Sequence, residues 1–143
     1  MIHTAKAHWA GNFDKGNGTL TTQSNILNDT KYSFNTHFDG NEKCTNPEEL
    51  LAAAQAGCFT MAISAMLSKK EIAVITLDTE ATLTVENNEI KGIHLIIIGA
   101  ISGINAEDFA TITKEAEQYC MISKILNIPV TSEVHFATEE NLR

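Results

Sequence analysis

The sequence predicts one α+β domain that spans residues 1–143, and three features support this fold class. Segments that alternate with period two, typical of β-strands, lie on both sides of a long apolar helical segment. The elements follow the order β-β-β-α-β-β-α-β, without an internal repeat, a low-complexity run or an obvious linker. A chain of 143 residues can bury one real core but is too short for two domains of ordinary size.

The strands are predicted from their alternation and from the turn residues between them. TAKAHWAG and GTLTTQS flank the turn-rich NFDKGNG, and KYSFNTHF alternates polar and bulky residues. ATLTVEN has period two, NNE forms a turn, and IKGIHLIIIGAI returns as a strand buried on nearly both faces. PVTSEVHFA is the closing strand.

The first helix has the clearest start in the chain, TNPEELLAAA. Asn46 is suited to the N-cap, Pro47 to the first helical position, and Glu49 to closing a capping box. Apolar residues then recur at spacings of three and four, which predicts a buried stripe made of Leu51, Ala54, Cys58, Met61 and Ala65. Since this helix is apolar all round, one small sheet cannot cover it, and we expect a partner subunit in an isologous homodimer.

A second helix is predicted from NAEDF, with Asn105 as the cap, and SKILN adds a short helical turn. Its apolar row consists of Phe109, Ile112, Ala116 and Tyr119. Cys120 lies about 20° from Phe109 on a helical wheel, so it is expected on the same buried face.

Composition and charge exclude several classes of function. The net charge is -8, from 18 acidic and 10 basic residues, so no positive field is available for nucleic acid. The start of the chain lacks the pattern of a secretory signal, and the three cysteines do not resemble a disulfide framework, so a reducing cytoplasm is expected. The apolar run from Leu50 to Leu67 is interpreted as a buried helix rather than a membrane span.

Two thiols are the main candidates for chemistry. Cys58 or Cys120 alone is more often core filling than a reactive group. Both are expected on inward faces of helices that pack together, and such a pair indicates a reversible dithiol/disulfide couple, in which a peroxide oxidises one thiol and the other resolves the sulfenic acid.

The other candidates have plainer interpretations. Glu48 is a first-turn carboxylate, and ten helical residues rise ~15 Å, so it reaches Cys58 only if the helix breaks or a second subunit supplies it. His37 reads as a strand histidine, and Cys44 as an exposed residue of a charged loop. The histidines are scattered without a ligand spacing, so no metal is expected. No hydrolase or nucleotide-binding motif occurs.

Nearly end to end, the sequence resembles the OsmC/Ohr family of osmotically inducible and organic hydroperoxide resistance proteins, most closely its OsmC branch. The resemblance is carried by AHWAG, GNGTLTTQSNILN, YSFNTHFDG, TNPEELLAAAQAGCFTMAIS and AEQYCMISKIL. It implies antiparallel sheets, two longer helices and an intertwined homodimer with two active sites at the subunit interface.

The resemblance also implies a thiol peroxidase that prefers organic hydroperoxides and needs no metal or bound cofactor. Cys58 would be the peroxidatic thiolate, Cys120 the resolving thiol and Glu48 the catalytic carboxylate, with an external dithiol, such as a lipoylated protein, as the reductant. His37 stands where the OsmC branch has the arginine that stabilises the thiolate, and the only arginine here is Arg143. We therefore expect His37 to act as a hydrogen-bond donor in a slower peroxidase.

Two smaller departures from the family pattern lie close to the cysteines. Gln55 replaces a histidine three residues before Cys58, and Met121 replaces a proline after Cys120. Two alternatives to the peroxidase remain open: a relative with impaired peroxidase chemistry that binds a small apolar or electrophilic ligand, and a purely structural dimer.

Overall fold

The computed structural model describes residues 1–33 and 43–137, which divide into two compact units, Met1–Leu50 and Leu51–Arg143. In the first unit, three strands form an antiparallel sheet in the order β1-β2-β3. They are β1 (Ala5–Ala10), β2 (Asn17–Thr22) and β3 (Thr30–Tyr32). The three predicted strands are confirmed, but the larger part of KYSFNTHF, including His37, lies outside the described residues.

The long helix α1 (Pro47–Lys69) begins where the capping pattern predicts. The Asn46 side chain accepts a hydrogen bond from the Glu49 backbone N–H at 2.7 Å, so it satisfies one of the free donors of the first turn. The Glu49 carboxylate accepts from the Thr45 hydroxyl at 3.2 Å. The start of α1 is therefore fixed by local sequence.

The second unit contains a three-stranded sheet and two further helices. The strands are β4 (Val74–Glu86), β5 (Glu89–Ile101) and β6 (Val130–Ala137), in the order β4-β5-β6. The β4–β5 hairpin turns at Asn87 and Asn88, whose φ angles of 53° and 61° are those that asparagine tolerates in a tight hairpin turn. The helices α2 (Ala106–Glu117) and α3 (Met121–Ile125) follow β5.

The β5–β6 pair is parallel, so the expectation of purely antiparallel sheets is wrong for this pair. The physical reason is the connection. Helices α2 and α3 lie between the two strands in sequence and form the crossover that a parallel pair requires. The α+β class with two longer helices is confirmed.

The core of the second unit lies on one face of β5. Ile93, Leu95 and Ile97 belong to the same buried cluster as Phe59 of α1 and Phe109 of α2. The opposite face of β5 is more open, and Ile98 is 42% exposed, so the prediction of a strand buried on both faces is only partly correct.

The buried face of α1 differs from the predicted stripe. The buried residues are Gln55, Phe59, Ala62, Ile63 and Leu67, whereas Met61 of the predicted stripe is 74% exposed. The error arises because α1 is apolar on all sides, so periodicity cannot select the face that meets the sheet. By length and composition alone α1 could cross a membrane. Phe59, Ile63 and Leu67 nevertheless pack in the core with β5, as in a core helix.

Candidate functional site

The two cysteines singled out from the sequence lie side by side in the second unit. Cys58 is half-buried on α1, and Cys120 is fully buried in the short connection between α2 and α3. Cys58 packs against the buried cluster that contains Cys120, and its side chain lowers the pKa of the Cys120 thiol. Both are free thiols. Two sulfurs separated by 62 residues (120 − 58) therefore meet in one place.

Cys120 is buried, as predicted, but not by the predicted route. Helix α2 ends at Glu117, with Gln118 as its C-cap, so Cys120 does not extend the helical wheel from Phe109. Its backbone N–H still bonds to the Ala116 carbonyl at 3.2 Å, but its φ of -73° and ψ of 110° are extended, and the residue is the N-cap of α3. A turn brings the sulfur inward where helix continuation was expected.

A buried glutamine links α1 to the segment that carries Cys120. Gln55 is fully buried, and its Nε2 donates to the Ser123 Oγ at 2.6 Å. Its Oε1 accepts a long hydrogen bond from the Cys120 Sγ, with 4.0 Å between the two atoms. In the sequence, Gln55 stands out only as a departure from a family pattern. The available signal was a polar amide within an apolar helix, three residues before Cys58.

The surroundings of Cys120 act on its ionisation in two opposite directions. Burial raises the pKa of the Cys120 thiol, but hydrogen bonds from the Ser123 hydroxyl and backbone N–H lower it. The Cys58 thiol and the Ile122 N–H lower the pKa further, and the net pKa lies below the ordinary value of a cysteine. These donors favour the thiolate because a negatively charged sulfur accepts hydrogen bonds more strongly than a neutral thiol.

Glu48 belongs to the first unit, in the first turn of α1. It lines an apolar cavity of about 310 Å³ together with Trp9, Phe13, Tyr32, Ser33 and Pro47. The sequence did not identify these aromatic residues as site candidates, because the cavity brings together β1, β3 and the start of α1. Trp9 and Tyr32 also contact each other, with ring centroids 5.6 Å apart.

Helix α1 is continuous from Pro47 to Lys69, so the first of the two routes by which Glu48 might reach Cys58, a break in the helix, does not occur. His37, the other proposed helper, lies outside the described residues. Cys44 differs from its prediction as an exposed residue. It is half-buried, with its Sγ 3.5 Å from the Ser33 Oγ.

A second polar cluster lies on an exposed part of the β5–β6 pair. The Glu133 carboxylate bonds His135 Nε2 at 2.8 Å and His94 Nε2 at 3.0 Å, and both contacts lower the pKa of Glu133. Within residues 1–33 and 43–137, no group of three or more His, Cys, Asp or Glu side chains is arranged to hold a metal ion. The cysteine pair is thus the best-defined candidate site in the described chain.

Comparison with known proteins identifies relatives along most of the chain. The family model described as OsmC-like protein matches residues 40–135. Peroxiredoxin OsmC from Escherichia coli is 40% identical over 130 residues, which cover 88% of this chain and 90% of that protein. Organic hydroperoxide resistance protein OhrA from Bacillus subtilis is 32% identical over 97 residues, covering 65% and 69%.

Solved structures share the fold. An OsmC-like protein of unknown function from Vibrio cholerae superposes with a TM-score of 0.74 at 15% identity, covering 94% of this chain and 99% of that one. At this level of identity the similarity establishes the architecture alone. The names of the more similar relatives support a peroxide-reducing enzyme.

Proposed function

Because the chain belongs to the OsmC-like family, we propose that it is a cysteine-based peroxidase that reduces organic hydroperoxides. The observation that carries the proposal is that two free thiols, Cys58 and Cys120, lie in one packed cluster and that Cys58 lowers the pKa of Cys120. The proposed cycle uses neither a metal nor a bound cofactor. The half-buried Cys58 is the sulfur open to a small substrate, since Cys120 is fully buried.

The cycle has three balanced steps. The Cys58 thiolate attacks the terminal oxygen of ROOH, the O–O bond breaks, and ROH leaves after taking a proton. Cys58 is then a sulfenic acid. The Cys120 thiolate attacks its sulfur, a disulfide forms, and the hydroxyl leaves as water. An external dithiol, for which a lipoylated protein is our proposed source, reduces the disulfide and returns both thiols.

Glu48 enters this cycle from a second subunit. Ten residues of unbroken helix correspond to ~15 Å, which is beyond any carboxylate contact with Cys58 in the same chain. Our proposal therefore includes a homodimer in which Glu48 of the partner subunit orients a donor beside Cys58. His37 is the donor we propose, in place of the family arginine, and it lies outside the described residues. We further propose that the protein acts in the cytoplasm.

The apolar cavity beside Glu48 supports an organic rather than an inorganic peroxide. Its wall is formed mainly by Trp9, Phe13 and Tyr32, and its volume is about 310 Å³. A hydrocarbon tail gains free energy by leaving water for such a surface, whereas hydrogen peroxide has no apolar group to bury. Glu48 at the same cavity would place the polar end of the substrate near the carboxylate.

Stopped-flow reaction of the reduced protein with cumene hydroperoxide tests the proposal. We expect rapid loss of two thiols per chain and a Cys58–Cys120 disulfide, identified by peptide mass spectrometry. Cys58→Ser should abolish turnover. Cys120→Ser should stop at a Cys58 sulfenic acid that dimedone traps, while Cys44→Ser should behave as wild type. Slow oxidation that does not depend on Cys58 would contradict a peroxidase.

The same cavity favours a second candidate function, the binding of a small apolar or electrophilic ligand without fast peroxide chemistry. It is lined by three aromatic residues and holds a carboxylate, which are features of a ligand pocket. The stopped-flow experiment separates the two functions. A binder retains both thiols in the presence of cumene hydroperoxide and shows saturable quenching of Trp9 fluorescence by an apolar ligand.

A further inference from the structure

The two sulfurs of the candidate site have very different surroundings. Cys120 is fully buried and is approached by the Ser123 hydroxyl, two backbone N–H groups and the Cys58 thiol. Cys58 is half-buried and Cys120 is fully buried, so Cys58 is the residue of the pair that an external molecule can approach. This asymmetry bears on how the disulfide is opened rather than on how it is formed.

The hydrogen bonds around Cys120 have a defined direction. The lone pair of the Gln55 amide nitrogen is delocalised into the carbonyl, so this nitrogen does not accept and donates to the Ser123 oxygen, 2.6 Å away. With its oxygen accepting from Gln55, Ser123 has its own hydroxyl proton available for the Cys120 sulfur, with which it interacts. The chain of donors therefore runs from Gln55 through Ser123 to Cys120 and favours negative charge on that sulfur. The Gln55 Oε1, 4.0 Å from the Cys120 Sγ, favours the protonated thiol instead, but the net pKa of Cys120 is lowered.

We infer that Gln55 and Ser123 are positioning residues that stabilise Cys120 as the leaving thiolate, so that the external thiol attacks Cys58 and the mixed disulfide forms there. The inference rests on the proposed function, because it concerns the reduction of that disulfide. It adds the direction of the attack and the two residues that determine it.

Reduction of the disulfide takes two steps. A thiolate of the external dithiol attacks the Cys58 sulfur, the bond between Cys58 and Cys120 breaks, and its electron pair remains on Cys120. The second thiol of the reductant then attacks the mixed disulfide, which releases Cys58 and leaves the reductant as a cyclic disulfide. Its two protons pass to the two cysteines. A leaving thiol with a low pKa departs faster, in agreement with the lowered pKa of Cys120.

The direction of attack is tested by trapping the mixed disulfide. The disulfide is generated with diamide, so that its formation does not depend on peroxidase activity. Limiting glutathione is added, the reaction is quenched in acid, free thiols are blocked with N-ethylmaleimide, and the peptides are assigned by mass spectrometry. We expect glutathione on Cys58 and N-ethylmaleimide on Cys120. Glutathione mainly on Cys120 overturns the inference, while the cumene hydroperoxide assay decides the peroxidase independently.

Variants of Ser123 test its role in the same reaction. Ser123→Ala removes the hydroxyl donor to a charged sulfur, and we expect reduction of the disulfide by dithiothreitol to slow about tenfold. Ser123→Thr keeps a hydroxyl and should restore most of the rate. No rescue by threonine would indicate only a packing role.

Gln55 is tested through its dependence on Ser123. Gln55→Met has a similar volume and removes both polar ends of the side chain, so it should also slow reduction. If Gln55 acts through Ser123, the double variant with Ser123→Ala should be no slower than Ser123→Ala alone. Additive slowing would overturn the donor chain for Gln55 and leave Ser123 as an independent donor.

Discussion

At the scale of single residues, Cys120 shows how a buried thiol can still favour the anion. Desolvation alone opposes a thiolate, but four donors from Ser123, Ile122 and Cys58 converge on this sulfur and outweigh that effect. Cys120 would therefore be ionised more readily than an ordinary cysteine, although no solvent reaches it. A resolving thiol needs this property, because only the thiolate attacks a sulfenic acid.

The lowered pKa of Cys120 predicts how the stability of the reduced protein depends on pH. A group with a depressed folded-state pKa contributes stability that is fully present above its unfolded pKa of about 8.5 and is lost as the pH falls through the folded value. Urea unfolding under a phosphine reductant should therefore show wild type gaining stability relative to Cys120→Ser as the pH rises towards 9. Parallel pH curves for the two proteins would contradict the lowered pKa.

Residues whose roles are local were predictable from sequence, and residues with distant partners were not. Asn46 and Asn105 each cap a helix, as the sequence predicted. The Asn46 Oδ1 accepts from the Glu49 backbone N–H at 2.7 Å, and the Asn105 Oδ1 accepts from the Asp108 backbone N–H at 2.8 Å. The Gln55 side chain forms a hydrogen bond with Ser123, 68 residues away, and no local sequence pattern predicts this partner. Cys58 and Cys120 were paired from the sequence on the premise that each lies on an inward helix face, but the buried face of α1 does not include Cys58, and α2 ends before Cys120.

At the scale of elements, the contact between α2 and β5 depends on a glycine. A Cβ on Gly99 would lie 2.5 Å from Phe109 Cζ, inside the ring that fills this part of the core. Gly99→Ala should lower the free energy of unfolding by about 1–3 kcal/mol, the usual cost of overpacking, as measured by urea denaturation. Phe109→Leu removes the ring atom, so Gly99→Ala should cost less in that background. Equal costs in both backgrounds would show that the clash is relieved elsewhere.

The two long helices differ in how well the sequence specified them. In α2 the predicted Phe109, Ile112 and Ala116 are buried, because polar residues occupy its other faces. In α1 the predicted face was wrong, since no polar face distinguishes inside from outside. Tyr119 also lies beyond the end of α2 and is 58% exposed. Periodicity specifies a face only where hydrophobic and polar residues alternate.

At the scale of the whole molecule, the face of α1 that points away from the core is apolar. The exposed positions along it are Ala53, Ala54, Gly57, Met61 and Ala65. A Cβ on Gly57 would meet no atom within 4 Å, so among the described residues nothing packs against the helix at this position. An apolar surface of this kind is costly in water and is covered in stable homodimers. It lies on the same helix as Cys58 and Glu48, which the proposed mechanism assigns to opposite subunits of one site.

A charge placed on this face of α1 should therefore separate the subunits, and peroxidase activity should be lost at the same time. Met61→Lys should turn a dimer into a monomer in sedimentation experiments across protein concentration, because an ammonium group cannot be buried in an apolar helix contact without a partner. Peroxide turnover should fall in proportion to the dimer fraction, since Glu48 of the partner subunit would no longer complete the site. Val85→Lys, at an apolar position of β4 that is 46% exposed, is the matched control and should change neither property. A monomeric Met61→Lys variant with full turnover would show that each chain completes its own site, and a wild type that is monomeric at assay concentrations would remove the dimer from the proposal.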